Sequence, residues 1–363
     1  VTVYLFAGGG TAGHVNPLLA TADRLRDREP DADILVLGTE EGLEARLVPE
    51  RGYELPTIPK LPFPRRLNRA ALDFPASWRS TVGQVRGILR DRHVDVVVGF
   101  GGYASAPAYR AASLEKLPLA IHEQNAKPGI ANRWGARMTR FVGVTFATTS
   151  LAHGQLVGLP LRREIEQLDL ASARAEGTAL FGLEPLIPTL LVTGGSTGAR
   201  RINESVSGSV AALLGSGWQV LHITGSRSPV ADPGLAGYRI LEYCDRMELA
   251  LAVSALAISR AGAGTLAELA ALGVPAVLVP YAAGNGEQAY NARDAVHAGA
   301  ALVVTDDAFT PEYVETELPI LLRDRARIAD MAARMSGIGV RDGADRMVEL
   351  ILAAKASTQA EVA

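Results

Sequence analysis

Ile258-Ser259-Arg260-Ala261-Gly262-Ala263-Gly264-Thr265-Leu266-Ala267-Glu268 is the stretch that decides the fold. An apolar run over residues 249–258 enters this glycine-rich turn, and a helix-like segment over 265–272 leaves it. Gly273-Val274-Pro275 breaks that segment, and a second apolar run, 276–280, leads into Gly284-Asn285-Gly286-Glu287-Gln288. Strand, glycine turn, helix and strand make a βαβ unit, which implies a parallel sheet. Glycines at such a turn let backbone N–H groups approach a ligand phosphate, and the helix N-terminus adds partial positive charge. Glu268 falls about one turn into the helix, where a carboxylate can accept hydrogen bonds from ribose hydroxyls. Gln288 and Asn291 are three apart and share a helical face. A plain structural turn with incidental polar residues explains the stretch as well when it stands alone.

The pattern recurs upstream. An apolar segment, 189–193, enters Gly194-Gly195-Ser196-Thr197-Gly198-Ala199, with Asn203 on the helix beyond. The chain opens in the same way: residues 3–7 run into Gly8-Gly9-Gly10-Thr11-Ala12-Gly13-His14, and Asn16-Pro17 opens a helix. These echoes predict an α/β protein with two doubly wound, Rossmann-like domains. Strands are expected over 34–37, 53–58, 94–100, 119–122 and 141–146 in the first domain, and over 218–224, 238–242 and 301–304 in the second. Gly158 and Pro160 read as a linker, so the first domain is placed at 1–160 and the second at 161–341. The closing segment 342–356 is expected to be a helix, and 357–363 a frayed tail.

His14 is the histidine on a glycine turn, at an edge where parallel sheets bind ligands. Its ordinary pKa suits a general base, although capping the helix or packing under the turn are equal alternatives. Asn125, just past strand 119–122, can bond a sugar or diphosphate, or simply cap the next helix. Cys244 precedes a helix with no adjacent histidine to lower its pKa, and reads as an apolar filler and not as a nucleophile. Its neighbouring backbone can read a base edge. Residues 60–78 break the alternation. Lys60, Arg65, Arg66, Arg69 and Arg79 interleave with Leu61, Phe63, Leu67, Leu72, Phe74 and Trp78, and Pro62, Pro64 and Pro75 argue for a loop and a short helix. Cations among apolar groups suit an anionic lipid surface; a solvated loop over a core helix is the alternative.

Composition narrows the classes. The 363 residues favour two domains, and 48% hydrophobic with 21% charged residues is globular and not disordered. A net charge of −3 gives no field to gather nucleic acid, so none is expected as a partner. A single cysteine excludes internal disulfides and cysteine-rich metal sites. No apolar run reaches the length of a membrane span. Residues 1–7 lack a basic start and read as a buried strand, not a leader. There is no Asp-x-Asp motif, and no metal is expected in the chemistry.

In order, these motifs resemble the MurG family of UDP-N-acetylglucosamine transferases. The carrying segments are Gly9–His14, His122-Glu123-Gln124-Asn125, Val157–Arg162, Gly194–Ala199, Ser259–Glu268 and Gln288–Asn291. Gly284–Gln288 is similar to the actinobacterial version. The resemblance implies a GT-B fold whose two domains face a cleft. It implies inverting transfer of N-acetylglucosamine from UDP-GlcNAc to the 4-hydroxyl of the muramoyl sugar of a lipid-linked MurNAc-pentapeptide, at the cytoplasmic membrane surface. Gly262, Ala263, Gly264, Thr265, Leu266 and Ala267 fall on the family's donor positions, with Ser196 and the 262–265 turn at the diphosphate. Glu268 takes the ribose, the Cys244 backbone lies beside the uracil, and Gln288 takes the sugar, with Asn291 beside it. Asn125 and Arg162 also match ligand positions. Thr11, Ala12, Gly13 and His14 fall near the acceptor diphosphate, with His14 as base. Phe63, Arg65, Arg66, Leu72, Phe74 and Trp78 become the membrane-facing group. Two departures stand out: Ala12 where many members have glycine, and Leu159 where many have asparagine. The other classes considered are a GT-B transferase for a soluble acceptor, a nucleotide-sugar 2-epimerase, and a non-catalytic UDP-sugar-binding protein.

Overall fold

A computed structural model describes residues 1–64, 69–195, 198–281 and 286–362. The chain divides into two compact units, residues 1–162 with 342–363, and residues 163–341. The first unit holds strands β1 (Val3–Ala7), β2 (Asp33–Leu37), β3 (Val96–Gly99), β4 (Leu119–Glu123), β5 (Phe141–Val144) and β6 (Gly154–Leu156). They form one sheet in the order β2-β1-β3-β4-β5-β6, parallel at every pairing. Alternation along β1 sorts its side chains. Tyr4 and Phe6 face the helix Ala12–Arg28 and the closing helix Gly343–Val362, through Leu18, Leu25, Met347 and Ile351. Leu5 and Ala7 face the opposite layer, with Val82, Val85 and Tyr109. Lys355 Nζ secures the closing helix with bonds to Glu29 (3.0 Å) and the Thr2 hydroxyl (3.0 Å).

The second unit repeats the plan with β7 (Thr189–Thr193), β8 (Gln219–Ile223), β9 (Tyr238–Leu241), β10 (Ser254–Ser259), β11 (Ala276–Leu278) and β12 (Ala301–Val303), in the order β12-β11-β10-β7-β8-β9. Counted within the unit, that is 3-2-1-4-5-6, the dinucleotide-fold order. The first unit approaches the same order. Residues 53–58, expected as a strand, make only isolated bridges, Leu35 with Glu54 and Gly38 with Thr57, beside β2. Pro56 removes a ladder donor at that edge. Each unit thus has a switch point where strand order reverses, between β1 and β3 and between β7 and β10. Crevices for ligands open there, at the carboxyl ends of the strands.

Several expectations change. The run 249–258 divides: 249–253 belong to the helix Met247–Val253 expected after Cys244, and 254–258 to β10. An all-apolar run carries no period, so helix and buried strand look alike. The helix expected from Asn16-Pro17 starts a turn earlier, at Ala12, so His14 sits in its first turn. Residues 60–78 feed a 23-residue helix, Arg69–Asp91, that passes through Pro75. Residues 357–362 are helical and not frayed, in keeping with helix formers such as Ala360, Gln359 and Glu361. The edge strand β6 was not anticipated, because all its residues are exposed.

Candidate active site

At the switch point of the second unit, β10 ends at Ser259 and the helix Ala263–Leu272 begins after Gly262. A side chain at Gly264 would meet nothing within 4 Å, and one at Gly262 only Thr265 Oγ1 at 3.8 Å. Packing therefore does not require glycine here; the bare backbone leaves open space over the helix N-terminus. Gln288 and Asn291 do share a face, and both bracket Ala261. Gln288 Oε1 accepts from Ala261 N (3.2 Å) and Tyr281 N (2.8 Å). Asn291 Nδ2 donates to the Ala261 carbonyl (3.3 Å). These donors fix the Gln288 amide orientation, so its nitrogen is the group left to face the cavity. Asn291 is 1% exposed and braces the turn instead of lining a pocket. Helical spacing gives the shared face, but not which member is covered.

Two cavities meet here, sharing Gly195 and Thr265 in their walls. The smaller, about 180 Å³, has an apolar floor of Leu191, Ile223 and Ala257, and Tyr243, Cys244 and Glu268 around it. Burial raises the Cys244 thiol above its ordinary pKa, which disfavours a thiolate nucleophile. The larger, about 700 Å³, is lined by Gly194, Gly198, Gly262 and Gln288, with Arg200, Arg201, Arg227 and Arg260. Arg260 is held by Asp306, by the Val279 carbonyl (2.9 Å) and over the Tyr281 ring (5.4 Å). The sequence does not single out these arginines; the Arg200-Arg201 pair directly after the glycine turn is the available signal. Ala267 is half-buried and Leu266 is buried in the helix, so neither side chain lines the cavities. Ser196 lies outside the described residues.

At the first unit's switch point, Thr11 is extended (φ −135°, ψ 157°) ahead of the helix, and its hydroxyl pairs with His14 Nδ1 at 2.8 Å. Among the described residues, the amides of Ala12 and Gly13 have no partner. Ala12 is helical, so its methyl group fits without strain. The other edge of the His14 ring lies over Gly101, where φ is +80° and an added Cβ would stand 3.3 Å from Nε2. Desolvation lowers the His14 pKa to about 4, against an opposing pull from Glu44, so the imidazole is neutral at pH 7. Tyr103, 41% exposed, stands beside Gly10, with Lys60 over its ring at 5.3 Å. Asn125 is half-buried past β4, and its N–H donates to Glu123 at 2.9 Å. Arg162 is half-buried, at the end of this part of the unit.

The apolar residues of 60–78 gather into an aromatic cluster. Phe63 and Phe74 lie 5.2 Å apart, Phe74 and Trp78 6.0 Å, and Trp78 and Trp134 5.8 Å. They border a cavity of about 460 Å³ with Ile130, Arg133 and Arg137. Leu72 is 81% exposed and Ile130 67%. Arg65 and Arg66 lie outside the described residues. Trp134, Ile130 and the two arginines join from a segment that carried no such signal in sequence. No helix among the described residues is long and apolar enough to cross a membrane.

Two doubly wound units, one with paired cavities at its switch point, follow the plan of the GT-B glycosyltransferases. Residues 4–144 match the N-terminal domain of glycosyltransferase family 28, and residues 189–347 its C-terminal domain. The UDP-N-acetylglucosamine--N-acetylmuramyl-(pentapeptide) pyrophosphoryl-undecaprenol N-acetylglucosamine transferase of Leifsonia xyli subsp. xyli is 59% identical over 97% of this chain and 98% of its own. The enzyme of the same name from Clavibacter sepedonicus is 55% identical over 98% of each chain. The crystal structure of Acinetobacter baumannii MurG superposes with a TM-score of 0.81 at 27% identity, covering 97% of this chain and 99% of that one. The chain belongs to glycosyltransferase family 28 and, within it, to the MurG family.

Proposed function

We propose that the chain transfers N-acetylglucosamine from UDP-GlcNAc to the 4-hydroxyl of the muramoyl sugar in undecaprenyl-pyrophosphoryl-MurNAc-pentapeptide, at the cytoplasmic face of the membrane. The observation that carries the reading is the pair of cavities sharing Gly195 and Thr265, one with an apolar floor and one that carries four arginines beside Glu204 and Asp306. A flat base fits the first, beside the Cys244 backbone, with Glu268 on the ribose. A diphosphate fits the second, at the open amides of Gly262–Thr265, with the Gln288 nitrogen on the sugar. Asn125 and Arg162 keep the roles the family pattern gives them, a hydrogen-bonding group and a cation for the ligand.

The acceptor falls to the first unit. Its 4-hydroxyl oxygen forms a bond to the anomeric carbon as the bond to the UDP oxygen breaks, and UDP leaves with the electron pair. The hydroxyl proton passes to His14, which is neutral and able to take it. The tautomer this role requires carries its proton on Nδ1, donated to the Thr11 hydroxyl at 2.8 Å, with Nε2 as the basic atom. Helix N-termini and arginines offset the charge that develops on UDP. Phe63, Leu72, Phe74 and Trp78, with Arg65 and Arg66 and the neighbouring Arg133 and Arg137, form the membrane-facing group. Apolar rings suit the headgroup boundary, and the cations suit anionic lipid.

The test is incubation with UDP-GlcNAc and the undecaprenyl-linked muramoyl-pentapeptide in detergent, with a chelator present. A lipid product heavier by one N-acetylhexosamine, with UDP released, is expected. UDP binding without product would overturn the acceptor assignment.

A further inference from the structure

We infer that Glu44 is a positioning residue for the reaction, a buried carboxylate that ties down the Gly8–His14 turn from behind. The inference deepens the reading of that turn as the acceptor site and rests on it. Glu44 opens the helix Glu44–Glu50 and is 1% exposed. Its Oε2 accepts from Gly10 N at 2.8 Å, and its Oε1 from Thr39 N at 3.1 Å and the Thr39 hydroxyl at 2.8 Å. A buried carboxylate is tolerated when donors like these satisfy it. The backbone around it is shaped to admit it: a Cβ on Gly9 would lie 2.3 Å from Oε1, and one on Gly42 2.0 Å from Oε2. No basic side chain pairs with it among the described residues.

The arrangement has two consequences. The Gly10 N–H is turned inward and is unavailable to a ligand, so an acceptor diphosphate must use the amides of Ala12 and Gly13 that the tether leaves facing outward. The carboxylate also brings a negative charge to within reach of His14, and partly restores the basicity that desolvation removes. Among the described residues, the neighbouring elements also carry Glu123, bonded by Asn132 Nδ2 (2.9 Å), Tyr109, whose hydroxyl donates to Asn132 Oδ1 (2.7 Å), and Lys60 with Tyr103.

Backbone amide exchange on the full chain reads the tether without any variant. A charge-assisted buried bond should slow exchange at Gly10 by about 10–100-fold against a free loop amide. In Glu44→Gln the carboxamide NH₂ must meet either the Gly10 or the Thr39 donor. The kcat/KM for the lipid acceptor should fall at least about 10-fold, with UDP affinity unchanged. The acid limb of the pH profile should move to lower pH, because removing the negative charge lowers the His14 pKa. A purely structural role would not move that limb. Thr39→Val removes one donor and keeps the charge, so it should weaken acceptor kinetics without moving the limb, and Thr39→Ser should behave as wild type. If Glu44→Gln does not fold, Gly10 exchange and the Thr39 pair decide. Free exchange at Gly10, or wild-type acceptor kinetics and acid limb in Glu44→Gln, overturns the inference. Retained turnover in His14→Ala, with Gly10 still protected, defeats the base assignment and leaves the tether standing.

Discussion

The two switch points share a backbone plan and differ in their walls. In the first unit the glycine turn is backed by a buried carboxylate and fronted by a neutral imidazole. In the second, Gly194, Gly195 and Gly198 and the turn Gly262–Thr265 share a cavity with four arginines, beside an apolar-floored chamber. Both present helix amides at the carboxyl edge of a parallel sheet. In the proposed reaction the side chains behind those amides divide the labour: proton transfer needs an uncharged base, and a departing nucleotide needs positive charge.

Removing the imidazole tests this contrast most severely. His14→Ala should cut turnover by about 10²–10⁴-fold, measured by product formation at saturating donor; unchanged turnover would erase the distinction between the two turns. In the wild type, kcat/KM should stay level through neutral pH and fall only toward pH 4, where His14 gains its proton.

The aromatic cluster extends the contrast, since among the described residues only the first unit carries one. Leu72→Glu replaces a side chain 81% exposed with a charge. Binding to anionic vesicles should weaken by about 10-fold or more, from lost apolar burial of roughly 1.5–3 kcal/mol, while turnover on a detergent-dispersed acceptor persists. Equal vesicle binding by the two proteins would remove this surface from the account.

A smaller effect sharpens the second unit. Gln288→Ala should weaken UDP-GlcNAc binding by about 10-fold and UDP binding less, because the Gln288 nitrogen is assigned to the sugar. Equal losses would mean that its clamp on Ala261 and Tyr281 is its whole role.

Acid should loosen both units. His122 in one and His222 in the other are fully buried, and desolvation lowers each pKa to about 4. The unfolded chain binds the proton near pH 6.5, so these groups stabilise the fold above that pH, and the contribution is lost as pH falls from 6.5 toward 4. The loss is of the order of 1–3 kcal/mol per histidine. Melting temperatures should fall over this window, and less steeply in His222→Gln; a flat profile would contradict the burial argument.

Most strands, and the glycine turns after β1 and β10, were legible because their signal is local: apolar runs bounded by glycine need only a few residues to be seen. The point where the helix Met247–Val253 gives way to β10 was not, since the apolar residues on both sides face no solvent that would impose a period. Glu44 was invisible for another reason. Its partners are Thr39, five residues away, and Gly10, thirty-four residues away, and a glutamate in a polar stretch looks solvated until the turn closes over it. Gln288 and Asn291 show the intermediate case. Their shared face was readable, but the burial of Asn291 depends on where Ala261 lies.

The division of labour is tested most directly by titrating UDP calorimetrically into three proteins: wild type, His14→Ala and Glu268→Ala. The account predicts wild-type affinity for His14→Ala and a loss of about 10–100-fold for Glu268→Ala, the cost of a hydrogen bond to a charged group. Weakened binding in His14→Ala, or full affinity in Glu268→Ala, would contradict it.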